Sequence, residues 1–358
     1  MKEGYLILET GEIFEGTLIR NQSNVQGEVV FNTSMTGYQE ILTDPSYAGQ
    51  IVVFSYPLIG NYGVNQDDYE STKIHVRGII VGDLCSEPNH FKMVETAESL
   101  LDKYNIPYLT NVDTRELVKT IRKKGTVKAV ISDQKESVVP FQKEIDLISQ
   151  VSTQKVFTHE NVGPHVILMD FGYKKSILQF LLKLKCKVTV VPFNYPLEKI
   201  RLLNPDGVVI SNGPGDPMAV CDQLGKIKKI TEEYPTLGIC LGHQLIALAY
   251  GAKTSKLPFG HRGGNHPVKD LITGKVYITS QNHGYVVVDQ TIDENQFLVT
   301  YKHVNDGTVE GLSHRTLPIL TVQFHPEAHS GPKDTEYIFE KFVSLLHQNL
   351  GAMKYAIQ

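Results

Sequence analysis

The chain has 358 residues, with 35 Lys and Arg against 39 Asp and Glu, a formal net charge of −4 whose two signs are mixed along its length. That balance points away from a nucleic-acid or membrane-surface partner, no apolar stretch is long enough to span a bilayer, and the length allows two domains with a sizeable core in each. The four cysteines, Cys85, Cys186, Cys221 and Cys240, have no metal-type or disulfide-framework spacing, and strand-like sequence begins at once with no signal or transit segment, so a reducing cytoplasm is the expected compartment.

Short β-like runs come first, at residues 5–8, 29–32, 51–56, 76–81 and 127–131. Helical patterns fall at 93–104 and 113–124. The second has a clear start in Asp113-Thr114-Arg115 and a clear end in Arg122-Lys123-Lys124-Gly125, with charges placed as the helix dipole prefers. These elements predict an N-terminal mixed β-rich/α domain over residues 1–150. A polar stretch ending in Gly163-Pro164 reads as a linker, 151–164.

From His165 the style changes. Short apolar runs at 166–170, 188–193, 207–211 and 237–239 read as strands buried on both faces, with helical periodicity at 174–184, 197–203 and 219–233 between them. The fold class is therefore α/β, with residues 165–358 forming an open, mostly parallel sheet domain that binds ligands at the carboxyl ends of its strands.

Cys240 sits at such an end. Leu237 to Ile239 read as a buried strand, and Leu241 to Tyr250 run apolar at helical spacing up to Gly251. Glycines on both sides of the cysteine suit a tight strand-to-helix turn, and the new helix's N–H groups and dipole favour a thiolate. This is the logic of a nucleophile elbow with sulfur as nucleophile. Far downstream, Phe324-His325-Pro326-Glu327 follows the strand-like run 319–323. If that strand continues through Glu327, His325 and Glu327 share a face, and the acid fixes the tautomer of the imidazole. Cysteine, base and orienting acid make a complete set for acyl transfer. His243 competes for the base role one helical turn from Cys240, but its helix points it along the elbow and no acid follows it. His261, His266, His283 and His314 read as structural or surface residues, and nothing among them makes a metal set.

Gly238-Ile239-Cys240-Leu241-Gly242-His243-Gln244 with His325-Pro326-Glu327 resembles the signature of class I (triad) glutamine amidotransferases. Four further segments resemble the small (glutaminase) chains of carbamoyl phosphate synthetases: Ser211-Asn212-Gly213-Pro214-Gly215-Asp216-Pro217, Phe259-Gly260-His261-Arg262-Gly263-Gly264-Asn265-His266-Pro267, Ser280-Gln281-Asn282-His283-Gly284-Tyr285, and the N-terminal run from Val29 to Tyr47. The resemblance covers almost the whole chain in the same order. It implies that the C-terminal domain is a glutamine amidotransferase domain with Cys240 as nucleophile, His325 as general acid/base and Glu327 orienting it. It also implies L-glutamine binding by Ser46, Gly213, Gly215, Leu241, Gln244, Asn282, Gly284 and Tyr285. Tyr285 departs from a common phenylalanine, and Tyr173 and Ser176 depart from the family pattern in Asp170-Phe171-Gly172-Tyr173-Lys174-Lys175-Ser176. The backbone N–H groups of Leu241 and Gly215 are the candidate oxyanion donors.

No phosphate loop of either common glycine-rich type is present. A glutaminase acting alone would waste glutamine, and free ammonia protonates in water, so a partner that receives it directly is expected. The resemblance implies that this partner is the large chain, which uses ATP and Mg to make carbamoyl phosphate, with no cofactor or metal in this chain. It implies a heterodimer that can assemble further, docked through the N-terminal domain, for arginine or pyrimidine biosynthesis or both. A glutaminase serving another synthetase would share the elbow but need not carry the N-terminal domain. A free-standing cysteine hydrolase would need no partner, and a binding chain without activity would be expected to have lost Cys240 or His325.

Overall fold

The computed structural model describes residues 2–19, 24–136 and 146–356, with side chains as far as residue 348. It divides into two compact units, Met1–Leu147 with Leu257–Gly263, and Ile148–Lys256 with Gly264–Gln358.

The strands of the first unit are β1 (Lys2–Leu8), β2 (Ile13–Ile19), β3 (Val25–Asn32), β4 (Gln50–Phe54), β5 (Leu58–Ile59), β6 (Gly78–Ile80), β7 (Asp83–Leu84), β8 (Tyr108–Thr110) and β9 (Val127–Ser132). Apart from the short parallel pair β5–β7, they close into a barrel in the order β1-β2-β8-β6-β4-β3-β9, with β9 returning to β1. Closure leaves no long free edge. The sequence pattern does not announce β2, which is largely half-buried or exposed, or β8, which is three residues long.

Among the described residues this unit has three α-helices, α1 (Tyr38–Thr43), α2 (Ala97–Lys103) and α3 (Thr114–Lys124). In α3 the Asp113 carboxylate accepts from the Glu116 N–H at 2.9 Å, and Gly125 ends the helix at φ 92°. The expected start of α2 at residue 93 is too early. The Thr96 hydroxyl caps the helix by accepting from the Ser99 N–H, while Val94 and Glu95 pair with Val64.

The second unit begins within α4 (Leu147–Val151), so the boundary falls ahead of the expected linker. Nor is that stretch a plain connection. The Thr153 N–H donates to Asp170 at 2.6 Å, and β10 (Phe157–His159) pairs with Val188–Val190 as an edge strand. Three residues are too few to show a period in sequence. The segment Leu257–Gly263 also leaves the expected domain plan: it belongs to the first unit, where the Pro258 carbonyl accepts from the Thr126 N–H.

The remaining elements are β11 (His165–Asp170), α5 (Lys175–Lys183), β12 (Lys187–Pro192), α6 (Leu197–Leu202), β13 (Gly207–Ile210), α7 (Leu224–Glu233), β14 (Thr236–Ile239), α8 (Leu241–Ala249), β15 (Thr254–Asp270), β16 (Val276–Val287), β17 (Phe297–His303), β18 (Val309–His314), β19 (Ile319–Val322) and α9 (Tyr337–Ala356). One sheet orders its strands β10-β12-β11-β13-β14-β19-β18-β17-β15-β16. It is parallel from β12 through β11, β13 and β14 to β19, the helical crossovers making this possible. Beyond β19, strands that follow one another without helices pair antiparallel.

Alternation along β11 shows why the apolar runs are continuous. Ile167 and Met169 join a core with Ile227, Ile230, Leu245 and Ile246 from α7 and α8. Val166 and Leu168 join another with Ile177, Leu181, Phe339 and Phe342 from α5 and α9. Both faces are covered, as a parallel sheet requires. No described helix is long and apolar enough to cross a membrane.

Candidate active site

β14 ends at Ile239 and α8 begins at Leu241, so Cys240 is the whole turn between them. Its φ of 52° and ψ of −103° are strained for a residue with a side chain. Glycine flexibility is not what the motif supplies, since the strain rests on the cysteine itself. Gly238 and Gly242 serve close approach instead. A Cβ on Gly242 would stand 2.1 Å from the Ile210 carbonyl oxygen, and one on Gly238 would stand 2.7 Å from Ile246 Cδ1. The strained residue is pinned on either side by Cys240 N–H to Val322 O at 2.8 Å and Gly242 N–H to Ser211 O at 3.1 Å.

The strand expected to reach Glu327 stops at Val322. Beyond it, His325 makes a single bridge to Ser280, donating its N–H to that carbonyl at 2.9 Å, and a turn follows, with Ala328 N–H bonded back to His325 O. The turn, not strand alternation, places Glu327 on the imidazole: Oε1 lies 2.6 Å from His325 Nδ1. With Nδ1 engaged, Nε2 is the nitrogen left to serve the sulfur.

All three side chains are buried. Burial alone would push the His325 imidazole down. The Glu327 carboxylate and the adjacent Cys240 sulfur outweigh it and raise it to about 10. Burial pushes Glu327 up, but the Lys174 charge, then that of His325, holds it at about 2. A buried acid–base pair is thereby kept charged.

Lys174 is the functional residue that the sequence reading left without a role. Its Nζ lies 3.2 Å from Glu327 Oε1 and donates to the carbonyls of Ala328 at 2.7 Å and His329 at 2.6 Å. It both balances the acid and ties down the turn, whose Ala328 and His329 have positive φ. One signal was available: two consecutive lysines at a helix start, where the dipole disfavours cations. Asn212 accepts from the Lys174 N–H at 3.2 Å and donates to Gly172 O at 3.0 Å.

His243 is also buried. Its Nδ1 lies 2.8 Å from Thr321 Oγ1, and burial depresses it to about 3. It is a neutral packing residue directed along β19.

The residues implied for glutamine binding fall into two sets. Gly213 packs where a Cβ would meet Phe171 O at 2.3 Å and Leu241 Cδ2 at 2.8 Å, so its loop lies against the elbow. Gly215 has φ 87°. Leu241 opens α8, where its N–H has no intrahelical carbonyl to bond. Gln244 donates to Tyr285 O at 2.8 Å and to Gln323 Oε1 at 3.0 Å. Both its N–H groups are engaged in these two contacts. Asn282, Gly284 and Tyr285 lie on β16, and the Cys240 thiol donates to Asn282 O at 3.7 Å. Tyr285 meets Gln244 through its carbonyl, so the exchange from phenylalanine leaves that contact unchanged. Ser46 belongs to the first unit. It lies buried on the 3-10 turn Pro45–Tyr47, its N–H held by the Asp44 carboxylate at 2.8 Å.

A buried cysteine at an elbow, beside a buried imidazole–carboxylate pair, has the residue types that thiol acyl transfer needs. Its unit matches the glutamine amidotransferase class-I family over residues 167–345, and residues 6–131 match the carbamoyl-phosphate synthase small chain, CPSase domain. The chain belongs to the family of carbamoyl phosphate synthase small chains. It is 53% identical to the arginine-specific small chain of Bacillus subtilis, over 95% of this chain and 96% of that one. It is 50% identical to the arginine-specific small chain of Halalkalibacterium halodurans, over 95% and 96%. The pyrimidine-specific small chain of Bacillus subtilis is 47% identical, over 95% of each.

Proposed function

We propose that this chain is the glutaminase of a cytoplasmic carbamoyl phosphate synthase. It hydrolyses L-glutamine through a thioester on Cys240 and passes ammonia to a large chain with which it forms a heterodimer. That large chain, using ATP and Mg, makes carbamoyl phosphate for arginine or pyrimidine biosynthesis or both. The observation that carries the reading is the buried Cys240, His325 and Glu327 set, with Lys174 behind it.

Cys240 thiolate attacks the side-chain amide carbon, and the N–H groups of Leu241 and Gly215 hold the oxyanion. The charged His325 gives its Nε2 proton to the leaving nitrogen, releasing ammonia. Once the sulfur is acylated its charge no longer supports the imidazolium. Neutral His325 then takes a proton from water, which opens the thioester to glutamate, and the proton stays on the imidazole as thiolate returns. Gly213, Gly215, Leu241, Gln244, Asn282, Gly284 and Tyr285 bind glutamine, with the Gln244 oxygen on its ammonium. No cofactor of this chain's own takes part.

Cys240→Ala should lower glutamine-dependent carbamoyl phosphate formation by about 10⁴-fold or more, while ammonia supplied directly still supports it in the complex. Near-normal glutamine use by the variant would refute the assignment.

A further inference from the structure

Thr321, Gln323 and His325 take alternate places as the chain leaves β19. Thr321 meets His243, His325 is acted on by the Cys240 sulfur, and Gln323 lies between them, wholly buried. Nothing in the reaction described above uses it.

The orientation of its amide follows from its neighbours. A backbone carbonyl can only accept, so the Gln244 atom 2.8 Å from Tyr285 O is the amide nitrogen. That nitrogen also lies 3.0 Å from the Gln323 side chain, which must therefore present its oxygen there. The Gln323 amide nitrogen is left facing Cys240 Sγ at 3.6 Å. A backbone acceptor thus sets, through two side chains, a donor on the reacting atom. The sulfur's contact with the Asn282 carbonyl works the other way: it suits the protonated thiol and opposes a negative charge. In a buried site such a charge needs a donor.

We propose that Gln323 is a catalytic residue of glutamine hydrolysis. Its side-chain N–H, locked in orientation by Gln244, hydrogen-bonds the Cys240 sulfur and stabilises the thiolate when it attacks and again when it leaves the thioester. The amide keeps its proton throughout. The proposal rests on Cys240 being the nucleophile.

The test is the rate at which iodoacetamide alkylates Cys240 in the assembled enzyme without glutamine, read on the Cys240 peptide by mass spectrometry across neutral and alkaline pH. Gln323→Met, which keeps the length and removes the donor, should slow alkylation at neutral pH roughly tenfold or more and displace its profile to higher pH, with kcat for glutamine falling by a similar factor. Gln244→Met, which frees the amide without touching residue 323, should move alkylation in the same direction by less, and it carries the test if the first variant does not fold. A purely structural role would lower the melting temperature and leave the alkylation profile in place. Wild-type alkylation in both variants overturns the proposal. Cys240→Ser separates the two readings. If it still hydrolyses glutamine normally, the nucleophile assignment fails. If it is inactive while folded Gln323→Met alkylates and turns over as wild type, Gln323 alone is excluded.

Discussion

The elbow at Cys240 and the turn after His325 are held by opposite means. Around Cys240 the strained backbone is fixed by close packing and main-chain hydrogen bonds, with Gly242 against the Ile210 carbonyl and the Cys240 N–H on Val322. No charge is needed. The His325 turn is fixed by charge: Lys174 reaches it from a distant part of the chain, pairs with Glu327 and takes the Ala328 and His329 carbonyls. Cys240 is thus placed by shape, which salt and pH hardly touch. His325 is placed by a buried ion network, which titration can undo.

Substitution on each side tests that contrast. The largest effect on stability is expected from Lys174→Met, which strands a buried carboxylate and should cost about 3–5 kcal/mol in denaturant unfolding, with most glutaminase activity. A smaller loss would mean that the turn stands without its cation. Gly242→Ala forces a Cβ onto a backbone carbonyl and should cost about 1–3 kcal/mol, equally at high and low salt. A marked salt dependence would break the contrast.

The pH dependence belongs to the turn alone. The raised His325 contributes stability that is full below its ordinary value of 6.5 and lost as pH climbs toward about 10. The lowered Glu327 contributes stability that is full above 4.5 and lost as pH falls toward about 2. The advantage of wild type over Glu327→Gln in melting temperature should therefore be greatest between those ordinary values and shrink on both sides. A flat difference would remove the ion pair from the account. The smallest effect lies in the barrel unit, where Thr96→Ala removes one helix cap and should cost about 1 kcal/mol without changing glutamine hydrolysis.

The same contrast explains what was legible in the sequence. The elbow is local: strand, cysteine and helix are contiguous, and a glycine beside a close approach leaves its mark in place. The two-sided burial of 166–170 and the caps of α3 were legible for the same reason. The turn is not local. Lys174 reads as a solvated cation next to Lys175, and only its place at a helix start hints otherwise. Gln323 is one polar residue just past an apolar strand, and its contact with the sulfur is set only once Gln244 and Tyr285 are beside it. The His325–Glu327 pairing was anticipated, though through a strand that in fact ends at Val322. Edge strand β10 and strands β2 and β8 escaped because they are too short or too exposed to carry a period.

The proposed hydrolysis requires a covalent glutamyl intermediate on one sulfur, that of Cys240. Rapid acid quenching of the enzyme during turnover with labelled glutamine, followed by peptide mass spectrometry, should find the label on the peptide containing Cys240, lost on treatment with hydroxylamine. Turnover at the normal rate with no label there, or with the label on another cysteine, would contradict it.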